Sequence, residues 1–313
     1  MLEQILTVGF FTAFFSAMVR MAVPLIYAGL GEMFAEKAGI LNIGMEGVML
    51  SGAFCSFAGA MFSGSLFIGL LCGILGGVAV GMIHAILSIK LAQNQSVSGI
   101  AINMFVLGVT SFFSRILKEG KSYQQLTTFS TIKIPGLSDI PLIGDALFNQ
   151  DIFTYLLYIL VIVMTVFYAK TAKGLAFQAV GEHPRAADAA GIPVHKYQYI
   201  AMLVNGVLGG IGGAYLVLVQ LGVFTENMIS GRGYIALAAV ILGRYTPVGT
   251  FGAALIFGGA NALQIRLQAV GVPLPAQALA MLPYIITLIA LLGSIGRSNE
   301  PESLSKPYIR GSR

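Results

Sequence analysis

Apolar runs of about 20 residues recur along nearly the whole chain, and that is the length a helix needs to cross a bilayer. In hydrocarbon every backbone polar group must be satisfied internally, which leaves helix bundles or closed barrels. The runs are continuous rather than alternating, so a barrel is excluded. The expected fold is an all-α, polytopic membrane bundle of about eight to ten spans. Composition agrees: 57% of the 313 residues are hydrophobic and 10% are charged, against about 25% charged in a soluble domain. The net charge of +5 does not signal a nucleic-acid partner, because Lys and Arg lie in a few loops and the tail. Cys55 and Cys72 fall inside apolar runs and read as small buried hydrophobes. The start, MLEQILTVGFF, lacks a cationic region and a small-residue cleavage site, so it reads as an uncleaved first span.

Spans are expected at about 5–30, 48–62, 66–89, 98–117, 152–169, 197–221, 250–267 and 276–295, with a short apolar segment at 235–242. Residues 1–297 read as one membrane domain and 298–313 as a polar tail. The Lys/Arg bias places 170–196 and the tail in the cytoplasm, and 118–151 and the N-terminus outside. Nine segments fit every loop; if 235–242 is re-entrant, the later orientations must be rebuilt.

Two spans are rich in glycine. Gly69, Gly73, Gly77 and Gly81 stand four apart beside Gly76, and a later span carries Gly206, Gly209, Gly210, Gly212 and Gly213. Such spacing lets another backbone approach closely, either as tight packing or as a surface that slides. There is also an internal echo. ILNIGMEGVMLSGAF precedes one Gly-rich span, and ISGRGYIALAAVILG precedes another. On the expected topology the two units run in opposite directions, as in an inverted repeat.

Enzyme machinery is missing. GKS at 120–122 resembles the end of a phosphate-binding loop, but Arg115 stands where that loop requires glycine. His84, His183 and His195 have no metal-ligand spacing. No metal or cofactor is therefore expected on this chain. The remaining candidates are polar groups at membrane depth: Asn94, Gln95, Ser98, Asn103, Asn205 and Asn261 in or near spans. Asn42 and Glu46 join them from the loop 36–47, where Asn42 is expected to cap the second span. Amides and hydroxyls suit the path of a neutral polar solute, and interhelical hydrogen bonding is the alternative for each. Arg20, inside the first span, is expected to pair with Glu32, Glu36 or Glu46.

The stretch 170–192, KTAKGLAFQAVGEHPRAADAAGI, carries Lys170, Lys173, Glu182, Arg185 and Asp188. Each charge at a bilayer centre costs roughly 2.5–3.5 kcal/mol, so the stretch lies outside the lipid. From Pro184 it reads as a short helix with Glu182 near its positive end, Ala187 in a small-residue surface and Gly191 at its end.

Three stretches together, EKAGILNIGMEGVMLSGAF, GLAFQAVGEHPRAADAAGI and SGRGYIALAAVILGRYTPVGT, resemble integral permease subunits of bacterial ABC importers. The branch is that of ribose-type sugar and branched-chain amino-acid permeases, and the first stretch looks most like its nucleoside members. The resemblance implies a coupling helix at 182–192, with Asp188 as its acidic residue, pushed by separate ATPase subunits that bind ATP and Mg. It also implies a solute-binding lipoprotein or periplasmic protein and a second permease chain, a heterodimer in the nucleoside branch with a homodimer as the alternative. The cargo is then a nucleoside, or a simple sugar such as ribose or galactose. An ion-coupled transporter is the competing class; it requires intramembrane acids, and most acids here fall in loops or near span ends.

Overall fold

The computed structural model describes residues 8–119, 125–141, 143–271, 275–292 and 299–310. The GKS at 120–122 and the outer ends of the first and last expected spans lie outside the described residues. The long helices are α1 (Val8–Glu36), α2 (Met45–Ser63), α3 (Leu66–Ala85) and α4 (Gln95–Glu119). After β1 (Ile132–Lys133), α5 (Gly144–Phe148) and β2 (Asn149–Gln150) come α6 (Ile152–Lys170), α7 (Ala172–Glu182) and α8 (Pro184–Ala189). The chain continues through α9 (Val194–Tyr215), α10 (Arg232–Leu242), α11 (Pro247–Ala269), α12 (Ala276–Ala280) and α13 (Leu282–Leu292). Helices α3 and α9 each run on into a π-helical turn, Ile86–Lys90 and Leu216–Leu221. Among the described residues seven helices are long and apolar enough to cross a bilayer, so the chain is a polytopic helical bundle.

The centre is a glycine interface between α2, α3 and α9. A Cβ built on Gly77 would overlap the Gly206 carbonyl, and one on Gly210 would stand 2.7 Å from the Gly73 carbonyl. On the other side of α9, a Cβ on Gly213 would overlap the Met49 carbonyl of α2. These backbones touch, which is tight packing; any side chain at these positions forces the helices apart. Cys55 and Cys72 sit half-buried beside this interface as free thiols.

The stretch between α1 and α2 is shorter than the sequence suggests. Residues 32–36 continue α1, because Glu32 and Glu36 are buried by protein rather than exposed to lipid. Residues 37–44 then climb back into the bundle: Leu41, Gly44 and Gly47 meet Gln95, Gly99 and Asn103 of α4 in turn. Helix α2 thus starts inside the bundle, level with the second turn of α4.

A second segment does the reverse. Gly222 accepts from Leu126 N at the end that carries the β1–β2 hairpin. Phe224 packs on Phe54 and Phe57 of α2, and Gly231 and Gly233 reach Glu46. From there α10 runs to the turn at Arg244 and Tyr245, both with positive φ. Helix α11 then retraces α1, with Thr250 against Gly29, Gly258 against Ala22 and Arg266 on the Ala13 carbonyl. The turn therefore lies at the C-terminal end of α1, and 222–242 passes from one end of the bundle to the other as a broken span. At about 1.5 Å per residue α10 is about 16 Å long, half a bilayer core; the irregular 222–231 supplies the rest.

Arg20 is exposed and lies 12 residues before Glu32, about 18 Å along the helix. The expected pairing with Glu32, Glu36 or Glu46 is therefore absent; its carbonyl instead accepts from Gln220 Nε2. We expect Gly77→Val to lower the melting temperature of the purified protein and cut its yield, since overpacking costs about 1–3 kcal/mol. Gly252→Ala, whose Cβ would meet nothing within 4 Å, should change neither.

Candidate functional site

The two broken spans meet N-terminus to N-terminus, and a carboxylate joins them. Glu46 lies in the first turn of α2, where the helix dipole favours an acid. Its Oε1 accepts Gly231 N and its Oε2 accepts Gly233 N, both at 2.7 Å, so it also satisfies orphan amides at the start of α10. Gly233 is required here, because a Cβ would stand 2.5 Å from Glu46 N. Asn103 of α4 locks the same point: its Oδ1 accepts Gly47 N at 2.7 Å, and its Nδ2 donates to Ile43 O and Tyr234 Oη, each at 2.9 Å.

One turn nearer the tail end lies a fully buried polar cluster. Glu32 Oε1 accepts Asn42 N at 2.7 Å and Glu32 Oε2 accepts Asn205 Nδ2 at 2.8 Å. Asn42 Nδ2 donates to Asn205 Oδ1 at 2.8 Å. Gln95 Oε1 accepts Leu41 N at 2.8 Å, and His84 Nε2 lies 3.1 Å from the Leu41 carbonyl. These groups hold the irregular stretch 41–44, whose backbone would otherwise carry unsatisfied donors at membrane depth. Among the described residues, Asn42 Oδ1 is a buried acceptor without a partner.

Of the candidates read from sequence, Asn42, Glu46, Gln95, Asn103 and Asn205 are brought together. Asn94, Ser98 and Asn261 are not. Asn94 Oδ1 accepts Val97 N at the start of α4, Ser98 Oγ donates to the Asn94 carbonyl, and Asn261 Nδ2 donates to Phe257 O in its own helix. Asn42 does not cap α2; Gly44 occupies that position and the Asn42 side chain turns to α9. Sequence reasoning missed Glu32, His84 and Tyr234 as members of the junction. The available signal was the helical continuation of α1 through GLGEMFAE, which puts Glu32 inside a span.

A second site lies at the end of the bundle that carries residues 37–39 and the tail. It contains α7, α8 and residues 299–310. Glu182, expected to lead into the coupling helix, ends α7 two residues before it; His183 breaks the chain and Pro184 opens α8. Ala187 is buried in the main core, and Gly191 closes the turn with φ 84°. Asp188 pairs with Arg310 of the tail at 3.2 Å, while Arg185 is exposed. Burial lowers the Lys37 ammonium below its usual range, and the Glu182 carboxylate opposes that shift.

Removing a buried acceptor strands its donors at about 1–3 kcal/mol. We expect Glu46→Ala to lower thermal stability by that order and to expose the 231–233 amides in hydrogen exchange. Glu46→Gln, which keeps one acceptor oxygen, should lose less. Equal protection in wild type and Glu46→Ala would remove Glu46 from this role.

The family model described as "Branched-chain amino acid transport system / permease component" matches residues 14–292. The chain is 40% identical to the guanosine ABC transporter permease protein NupQ of Bacillus subtilis, over 93% of this chain and 95% of that protein. It is 33% identical to the nucleoside ABC transporter permease protein NupC of Lactococcus lactis, over 94% of this chain and 95% of that one. It is 32% identical to TsgC13 of Haloferax volcanii, provisionally named a glucose ABC transporter permease protein, over 96% of this chain and 99% of that one. A broken-span membrane bundle that matches the family model across both broken spans and the α7–α8 loop is a member of this permease-component family of transport systems.

Proposed function

We propose that the chain is the membrane-spanning permease subunit of an ATP-driven importer for nucleosides. The observation that carries this reading is the near full-length similarity to permease proteins of guanosine and nucleoside ABC transporters. A simple sugar is the second reading, favoured by the similarity to TsgC13. In this proposal the chain sits in the bacterial cytoplasmic membrane with its N-terminus outside and its tail inside. It pairs with a second related permease chain and takes solute from an extracytoplasmic binding protein. Separate cytoplasmic subunits bind ATP and Mg and carry out hydrolysis. Helix α8, with Pro184, Arg185, Ala187 and Asp188, is the coupling helix, and Glu182 and Gly191 flank it. The polar junction supports this reading: α2 and α10, held start to start by hydrogen bonds to Glu46, form a rigid element that moves as one when α8 is pushed.

Uptake by the assembled complex tests the cargo. Unlabelled nucleosides should compete with radiolabelled guanosine, and ribose, galactose and glucose should not. Competition by the sugars alone would support the second reading, and uptake that survives ATP depletion with an ion gradient intact would contradict both. Proline cannot adopt the φ of 84° at Gly191. We expect Gly191→Pro and Arg185→Glu to insert at normal levels and to lose at least about tenfold in uptake and in solute-stimulated ATPase activity, by the convention that about 1.4 kcal/mol of lost coupling is tenfold. Normal uptake in both would remove α8 from the coupling role.

A further inference from the structure

Helix α8 has six residues, too few to be stable alone. The tail supplies what it lacks. Residues 299–310 lie across α8 and engage both of its ends. At the start, Glu302 Oε2 stands 3.4 Å from His183 Nδ1, and Glu182 Oε2 accepts Glu302 N at 3.2 Å. At the last turn, Asp188 Oδ2 accepts Arg310 Nε at 3.2 Å, and just beyond α8 the Tyr308 ring stands 5.4 Å from that of His195. Between these points the tail is anchored in the fold. Leu304 joins the core that contains Ala187, and Ser303 donates its amide (3.0 Å) and its hydroxyl to the Gly181 carbonyl. Exposed ion pairs contribute little by themselves; the buried Ser303 and Leu304 fix the tail, and the pairs then align α8 to it.

Tail and helix enclose an open cleft of about 530 Å³, lined among others by Pro184, Arg185, Lys306, Pro307 and Ile309. Its lining carries two acids, Glu182 and Glu302, and two bases, Arg185 and Lys306, and the paired Asp188 and Arg310 hold the tail beside it. That balance does not suit an anionic lipid surface, which takes a basic cluster. Apolar groups within a rim of both charges suit a protein.

We propose that residues 299–310 and α8 form one composite docking surface for the ATP-hydrolysing subunit, the tail setting the attitude of α8 and supplying one wall of the cleft the partner enters. This rests on the assignment of α8 as the coupling helix. The occupant is the ATPase because the cleft is continuous with α8 and opens at the end of the bundle away from the apolar span faces.

Photo-crosslinking in the purified, assembled complex separates the possibilities. A photoreactive residue placed at Ile309 should capture the ATPase subunit with a yield comparable to one placed at Arg185. Capture from Arg185 but not from Ile309, or capture of a second permease chain or lipid from Ile309, would overturn the composite surface and leave the coupling helix standing. Capture from neither would overturn the coupling assignment itself. Truncation after residue 298 should leave membrane levels and the gel-filtration profile unchanged and cut solute-stimulated ATPase activity at least about tenfold, the convention being 1.4 kcal/mol per decade. Unchanged stimulation in a well-folded truncated complex would overturn the proposal.

Discussion

The carboxylate of Glu46 is the contact on which the rest of this bundle depends. The long helix α2 and the short helix α10 both start inside the protein, and each start leaves backbone amides without intrahelical partners. In hydrocarbon such amides have no water to turn to. Glu46 sits in the first turn of α2 and accepts two amides at the start of α10. One side chain thereby serves both dipoles, and charge-assisted bonds of about 1.5–3 kcal/mol each hold the junction. The irregular stretch 41–44 is tolerated because protein, not lipid, surrounds it, and 222–231 is held to the protein by the buried Phe224, Met228 and Ile229.

The glycines make this geometry reachable. α2 can lie against α9 only because Gly213 has no side chain to strike the Met49 carbonyl, and α3 can lie against α9 only because of Gly77 and Gly210. This packing sets the position of Asn205 on α9, which brings its amide to Glu32 and Asn42. The polar junction is thus a product of the close apolar packing above it. Three helices locked backbone to backbone also make a stiff body. The short α8 is joined to the main core through Ala187, so in the proposed coupling role a push on it would pass into rigid elements rather than loose side chains.

Much of this was legible in the sequence. Continuous apolar runs gave the long helices to within a few residues, and the four-residue glycine spacing marked the α3–α9 contact. The echo between ILNIGMEGVML and ISGRGYIALAA corresponds to the two broken spans that meet at Glu46. Pro184 and Gly191 bound α8 as their backbone preferences require. What the sequence hid depends on long-range partners. Glu32 and Glu36 look like loop residues because charge is costly in lipid, yet both are buried, Glu32 by Asn205 of α9 and Asn42 of the 37–44 stretch, which no local pattern reveals. Asn42 looks like a cap until Asn205, 163 residues away, offers a better partner. The hold of the tail on α8 was hidden for the same reason, since Arg310 and Asp188 are 122 residues apart.

The arrangement requires that 222–242 cross the membrane as a broken span whose helical half begins beside Glu46. Thiol labelling tests it directly. Single cysteines replace Glu226 or Arg244, both exposed, in a background with Cys55 and Cys72 removed. An impermeant maleimide is then applied to right-side-out and to inverted vesicles. Labelling from opposite faces is expected, position 226 from the face reached by the β1–β2 pair and position 244 from the face of the tail. Labelling of both from one face would mean that the segment dips in and returns, and would contradict the start-to-start arrangement of α2 and α10.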